Sequence, residues 1–212
     1  MEHLRLGARF WVLRQRSAGQ GRCRRSLHSL SGLARRRTSV SEQLLDLATD
    51  IVERARRAGA DQAEAAVAGV HAVDTRVENG RVHTAQTTDE TLFGLRVFSR
   101  GSLGFATANS IDRTTIDECV GEALAQAKAM PSDPLNGLPP ADKPVAVDGL
   151  FDPSAAAMTV GDTTALARRM LERVRKRDAR VRVDSGGVSS VHSRVAVASS
   201  EGVGACEETT TV

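Results

Sequence analysis

Residues 90–112 read ETLFGLRVFSRGSLGFATANSID, and they decide the fold. From Leu92 to Phe98 the apolar period is two: Phe93, Leu95 and Val97 share one face while Gly94, Arg96 and Phe98 share the other, as in a half-buried strand. Ser99-Arg100-Gly101-Ser102 then turns the chain into Leu103–Thr107, which predicts a hairpin. Asp112 stands where a helix N-cap belongs, because its short carboxylate can accept from the first free backbone N–H groups. Behind it Ile116, Cys119, Val120, Ala123, Leu124 and Ala127 form one apolar stripe at helical spacing. Cys119 therefore reads as a core residue and not as a nucleophile.

Upstream, β-like runs are expected at Glu64–Val70, Val73–Val77, Val82–Thr87 and Thr91–Phe98, with Glu78-Asn79-Gly80 as a hairpin turn by its Asn-Gly step. Before them Leu44, Leu47, Ala48, Ile51, Val52, Ala55 and Ala58 mark a helix. Ser39 and Glu42 supply a capping box at its start and Gly59 a stop at its end. Downstream, Pro131, Pro134, Gly137, Pro139, Pro140 and Pro144 interrupt the periodicity and predict a linker over 131–144. A further helix is expected from Val160, Leu166, Met170, Leu171 and Val174, its charged face supplied by the run 168–180. Alternating segments at Val181–Val183, Val188–Val191 and Val195–Ala198, a Glu201-Gly202 turn and a Thr-rich run follow. That last run reaches Val212 with no terminator, as expected of a strand cut short. The fold class is α+β: a helix, antiparallel strands in hairpins, a helix, then a linker and a second, partial α/β domain. The domain reading is a basic leader over 1–40, an N-terminal α/β domain over 41–130, the linker 131–144 and a partial central domain over 145–212.

The 212 residues carry a formal net charge of +3, but ten arginines against Glu2 alone fall within 1–40. The remaining body is mildly acidic and a poor match for a phosphate backbone. The leader, expected to be unfolded, reads as a solvated extension, a transit peptide or a nucleic-acid-binding arm. With no Tyr, and with Trp11 in the leader, the body's aromatics are Phe93, Phe98, Phe105 and Phe151, few for stacking bases. Cys23, Cys119 and Cys206 are odd in number and widely spaced, which favours a reducing compartment over a disulfide framework. No apolar run approaches the roughly 20 residues a membrane helix needs.

Chemistry is sparse. His71, His83 and His192 sit far apart in sequence, outside H-E-x-x-H or any short ligand spacing. No G-x-S-x-G elbow occurs. Gly101–Gly104 and Ser185-Gly186-Gly187 match no phosphate loop and read as turn glycines. Asp89-Glu90 and Glu207-Glu208 are adjacent pairs whose side chains would point to opposite faces of a strand. No catalytic, cofactor-binding or metal-binding residue is assigned.

Three stretches together resemble the TldD/PmbA family of peptidase subunits, also labelled modulators of DNA gyrase. They are ETLFGLRVFSRGSLGFATANSID at 90–112, SDPLNGLP at 132–139 and SGGVSSVHSRVAVASSEG at 185–202. The resemblance covers roughly residues 40–212 and is closer to the PmbA (TldE) side. It implies the N-terminal part of a cytoplasmic peptidase subunit that acts on unfolded peptides within a zinc metallopeptidase assembly. In that family a TldD-type subunit carries zinc on an H-E-x-x-x-H helix and pairs with a TldE subunit lacking it. The motif is absent here, so the resemblance places zinc in the partner subunit or in a missing C-terminal domain, and leaves this chain without a catalytic motif. The competing reading is a free-standing interaction module whose basic arm binds nucleic acid. A metal-free small-molecule enzyme has no residue constellation behind it.

Overall fold

The structure, a computed structural model, describes residues 40–142 and 147–212. Of the predicted leader only Val40 is described, and Ser39 with its capping box lies outside the described residues. Helix α1 (Val40–Arg57) carries Glu42 in its first turn and Arg54, Arg56 and Arg57 in its last, both favourable to the helix dipole. Its face of Leu44, Ala48, Ile51, Val52 and Ala55 is buried as the spacing predicts, whereas Ala58 is exposed beyond the helix end. Gly59 follows at φ +107°, the left-handed region that glycine enters without penalty.

Strands β1 (Gln62–Glu78) and β2 (Arg81–Ser99) follow. Each fuses two of the predicted short runs. Asn79 and Gly80, at φ 50° and 70°, make the two-residue turn that joins them, with the twist of a primed turn. Where apolar alternation lapses, a cross-strand contact holds the pair: His71 Nδ1 lies 2.7 Å from Asp89 Oδ1. Arg100 and Gly101, at φ 52° and 75°, form a second two-residue turn into β3 (Ser102–Ala108). β3 pairs antiparallel with β2 from Ser99↔Ser102 to Phe93↔Ala108.

Asp112 caps α2 (Arg113–Ala129), and that helix buries the predicted stripe, Cys119 included. The Asp112 carboxylate accepts from the Ser110 hydroxyl and from Thr115 N–H and Oγ1, which lowers its pKa to about 2. Because the folded value lies below the ordinary 3.8, its stabilisation is present above the unfolded value and is lost as pH falls through about 2. A carbon-detected NMR titration should give Asp112 a midpoint near 2, and Asp112→Ala should lower the unfolding temperature at pH 7 more than at pH 2. A midpoint near 3.8 would remove the cap from the account.

After a single helical turn, α3 (Pro153–Ala156), comes α4 (Val160–Arg177), begun by a Thr159–Asp162 capping box. Thr163, Ala167 and Leu171 form its buried face, two of them small or polar side chains that apolar counting passes over. Val181–Val183, expected as strand, is irregular; strand β4 starts at Ser185 and continues to Ser199, and β5 spans Gly204–Thr211. The extended valines fail to make a strand because the chain here turns about Asp178, whose carboxylate accepts from Arg180 N–H and whose carbonyl accepts from Val181 N–H. The five strands form one sheet in the order β3-β2-β1-β4-β5. Ser200 N–H donates to Ala63 C=O, and at the other end of β1 Asn79 N–H donates to Asp184 C=O, so β4 runs antiparallel to β1.

The chain divides into two compact units, each discontinuous in sequence. The first takes residues up to 68, 91–148 and 194–207. Its core packs α1 and α2 on Ala63, Ala65 and Val67 of β1 and on Phe93, Leu95 and Val97 of β2. The second takes 69–90, 149–193 and 208–212. There Val77, Ala167 and Leu171 are buried with Val82, Met170, Val183 and Val188 against them. The Thr75 hydroxyl bonds those of Thr163 and Thr164 at 2.9 and 3.2 Å, which satisfies polar groups in that core.

Candidate functional site

In the first unit β3 is an edge strand, and the closing pair Ser99↔Ser102 fixes which of its backbone groups face outward. Antiparallel pairs alternate between bonded and non-bonded, so Leu103, Phe105 and Thr107 direct N–H and C=O away from β2. The Gln126 side-chain carbonyl accepts from Phe105 N–H, blunting the middle of this edge from α2. Leu103 and Thr107 flank that contact with exposed side chains. In the second unit Thr210 N–H donates to Leu150 C=O and Asp152 N–H to Thr210 Oγ1, closing the end of β5.

The Pro-rich segment after α2 is tied to the β2–β3 turn. Asp133 N–H and Asn136 Nδ2 both donate to Gly101 C=O at 2.9 Å, and Ser132 Oγ donates to Arg100 C=O at 2.8 Å. Leu138 N–H donates to Gln62 Oε1, and its side chain is buried. This anchoring of SDPLNGLP was not read from the sequence, where proline and glycine signal only a break.

Three glycines expected in turns, Gly104, Gly186 and Gly187, lie in strands instead. Gly104 lies within β3 because a Cβ there would meet Ala123 C=O of α2 at 1.8 Å, and Gly187 lies within β4 where a Cβ would meet Thr75 C=O at 3.0 Å. Only Gly101 of the first cluster is a turn residue.

The three body histidines remain apart, each beside a carboxylate. His71 faces Asp89, His83 Nδ1 lies 3.7 Å from Glu78, and His192 Nε2 lies 2.6 Å from Glu208. The Phe151 ring tilts against His192 at a centroid distance of 5.4 Å. His83 and Glu78 flank the predicted Asn79-Gly80 turn, whereas the other two pairs could only be found once strands were aligned. No third His, Cys, Asp or Glu joins any of them among the described residues, so they do not fit zinc, which takes about four such ligands.

A shallow groove of about 580 Å³ runs between α1 and the 198–204 turn, lined by Glu53, Arg56, Arg57, Ser199 and Ser200. Its Ser200 hydroxyl accepts from Ala63 N–H and donates to Glu201, with neither His nor Cys in the lining. Burial raises the Cys119 thiol pKa, with Glu122 and Glu118 adding to it, opposite to the shift a nucleophilic cysteine needs. Among the described residues, β3 offers main-chain hydrogen bonding through its outward N–H and C=O groups.

Comparison with known proteins bears on this arrangement. Residues 63–127 match the family signature described as PmbA/TldA metallopeptidase domain 1. No curated protein matches the sequence. Among solved structures, TldE from Thermococcus kodakarensis matches with a TM-score of 0.70 and 18% identity over 77% of this chain and 37% of its own. A putative modulator of DNA gyrase from Bacteroides thetaiotaomicron gives 0.67 and 16% over 81% of this chain and 39% of its own. One from Thermotoga maritima gives 0.65 and 13% over 78% and 37%. The chain thus spans under two-fifths of the length of these structures. The fold is similar to that of these structures, and residues 63–127 are similar to domain 1 of the PmbA/TldA metallopeptidases.

Proposed function

We propose that this chain is the N-terminal part of a TldE-side peptidase subunit, which receives unfolded peptides for a zinc metallopeptidase assembly and leaves hydrolysis to a TldD-type partner in the cytoplasm. The observation that carries the reading is the family match at 63–127, which includes the whole β2–β3 hairpin. An edge strand with outward N–H and C=O groups at Leu103 and Thr107 can pair with an extended peptide whatever its side chains, whereas a folded protein offers no free strand to add.

The test mixes the full chain with a TldD-type subunit and an unstructured reporter peptide. Co-elution of the two proteins, peptide binding by this chain and hydrolysis that needs the TldD-type subunit are expected. Failure both to assemble and to bind peptide would overturn the reading. Nucleic-acid binding that persists after deletion of 1–40 would favour an interaction module instead.

A further inference from the structure

The second unit segregates charge. Between Arg168 and Arg182 stand eight cationic side chains, against Glu172 and Asp178. Asp178 is already engaged by Arg180 at 2.8 Å, and Arg175 Nη2 donates to Gly80 C=O at 2.8 Å. Arg168, Arg169, Arg173, Lys176, Arg177 and Arg182 are exposed and make no ion pair among the described residues. Arg169, Arg173 and Lys176 recur at i, i+4 and i+7, so they line one side of α4 as a stripe about 10 Å long. The buried face, Thr163, Ala167 and Leu171, lies on another side of the helix. Glu172, three residues after Arg169 and four before Lys176, is the one acid among them, so the cations are only partly offset and repel one another.

Resting on the peptide-handling reading above, we propose that this basic face of α4 recruits acidic segments of the unfolded peptide. A stripe of 10 Å matches about three residues of an extended chain, so a run of three or four Asp or Glu residues can span it. Other anions fit less well. The apolar side of α4 is already packed against Val77, Val82, Val183 and Val188, which leaves nothing to enter a lipid surface. Phe151 is the single Phe, Tyr or Trp of this unit, so a single-stranded nucleic acid finds almost no stacking platform. Arginine forks also suit carboxylates, which they can grip through two parallel bonds.

The test uses the full chain and three unstructured peptides of equal length, Glu/Ser, Gly/Ser and Lys/Ser, with fluorescence anisotropy at low salt. The Glu/Ser peptide should bind about tenfold more tightly than Gly/Ser, and the margin should vanish in 0.5 M salt, roughly, by screening. In R169E/R173E/K176E, and more mildly in R169Q/R173Q/K176Q, the acidic preference should disappear while Gly/Ser affinity stays unchanged. An acidic preference that survives both variants overturns the inference and assigns the effect to the arginines of 1–40. Tighter binding of a DNA duplex than of Glu/Ser peptide, lost in the same variants, also overturns it. Loss of Gly/Ser binding in the parent chain is a separate result that strikes the peptide-handling reading itself.

Discussion

Gly104→Ala should destabilise the protein by about 3 kcal/mol or more, the upper end of what overpacking costs. The added methyl would sit 1.8 Å from Ala123 C=O and 2.7 Å from Ala127 N, both backbone atoms of α2. A flexible side chain could swing aside, but a helix backbone moves only with its whole turn. Either β3 leaves β2 or α2 lifts from the core, and α2 contributes six buried side chains there. The control is Gly121→Ala on the same helix, where the new methyl meets nothing within 4 Å. It should gain about 1 kcal/mol from helix propensity alone. Urea unfolding of the two variants reads the difference, and a Gly104→Ala variant as stable as the parent would rule out the close β3–α2 approach.

Glu64→Ala should cost about 3 kcal/mol for a different reason. Glu64 is 1% exposed in β1, and its Oε1 lies 3.0 Å from Arg96 Nη2 on β2, a side chain about one quarter exposed. Removing one member of a buried pair leaves the other charge poorly solvated, a loss of about 3–5 kcal/mol, reduced here by the solvent that reaches Arg96. Replacing both, as E64L/R96M, should return to within about 1 kcal/mol of the parent, because two apolar side chains carry no desolvation penalty. A double-mutant cycle separates the pair from its surroundings. If Glu64→Ala alone costs under about 0.5 kcal/mol, the pair is solvated and contributes as a surface bridge would.

These two positions also mark where sequence reasoning stops. Asp112, the Asn79-Gly80 turn and the stripe from Ile116 to Ala127 were legible because a cap, a turn and a helix face are each decided within a few residues. Gly104 looked like turn chemistry, since nothing local says that a helix twenty residues later will press on it. Glu64 opens a predicted β-like run, and its burial depends on strand neighbours the local pattern cannot name. The β4–β1 pairing, which makes one sheet of two hairpins, joins segments more than a hundred residues apart. His192 and Glu208 meet only through the β4–β5 hairpin, so their partnership was equally hidden. The family resemblance was legible in three dispersed stretches. Individual roles were not, because main-chain pairing at an edge leaves little signature in side-chain identity.

The position of β1 also sets an order on biosynthesis. Its N-terminal half is closed by Ser200, 137 residues downstream, whose hydroxyl and N–H both bond to Ala63. At the usual elongation rate of about 5–20 residues per second, β1 waits roughly 7–27 seconds on the ribosome for that partner. Until then the nascent chain presents an open, alanine- and valine-rich strand edge, the surface on which neighbouring chains add. Slowed synthesis ahead of residue 200 lengthens that exposure and should raise the tendency to aggregate.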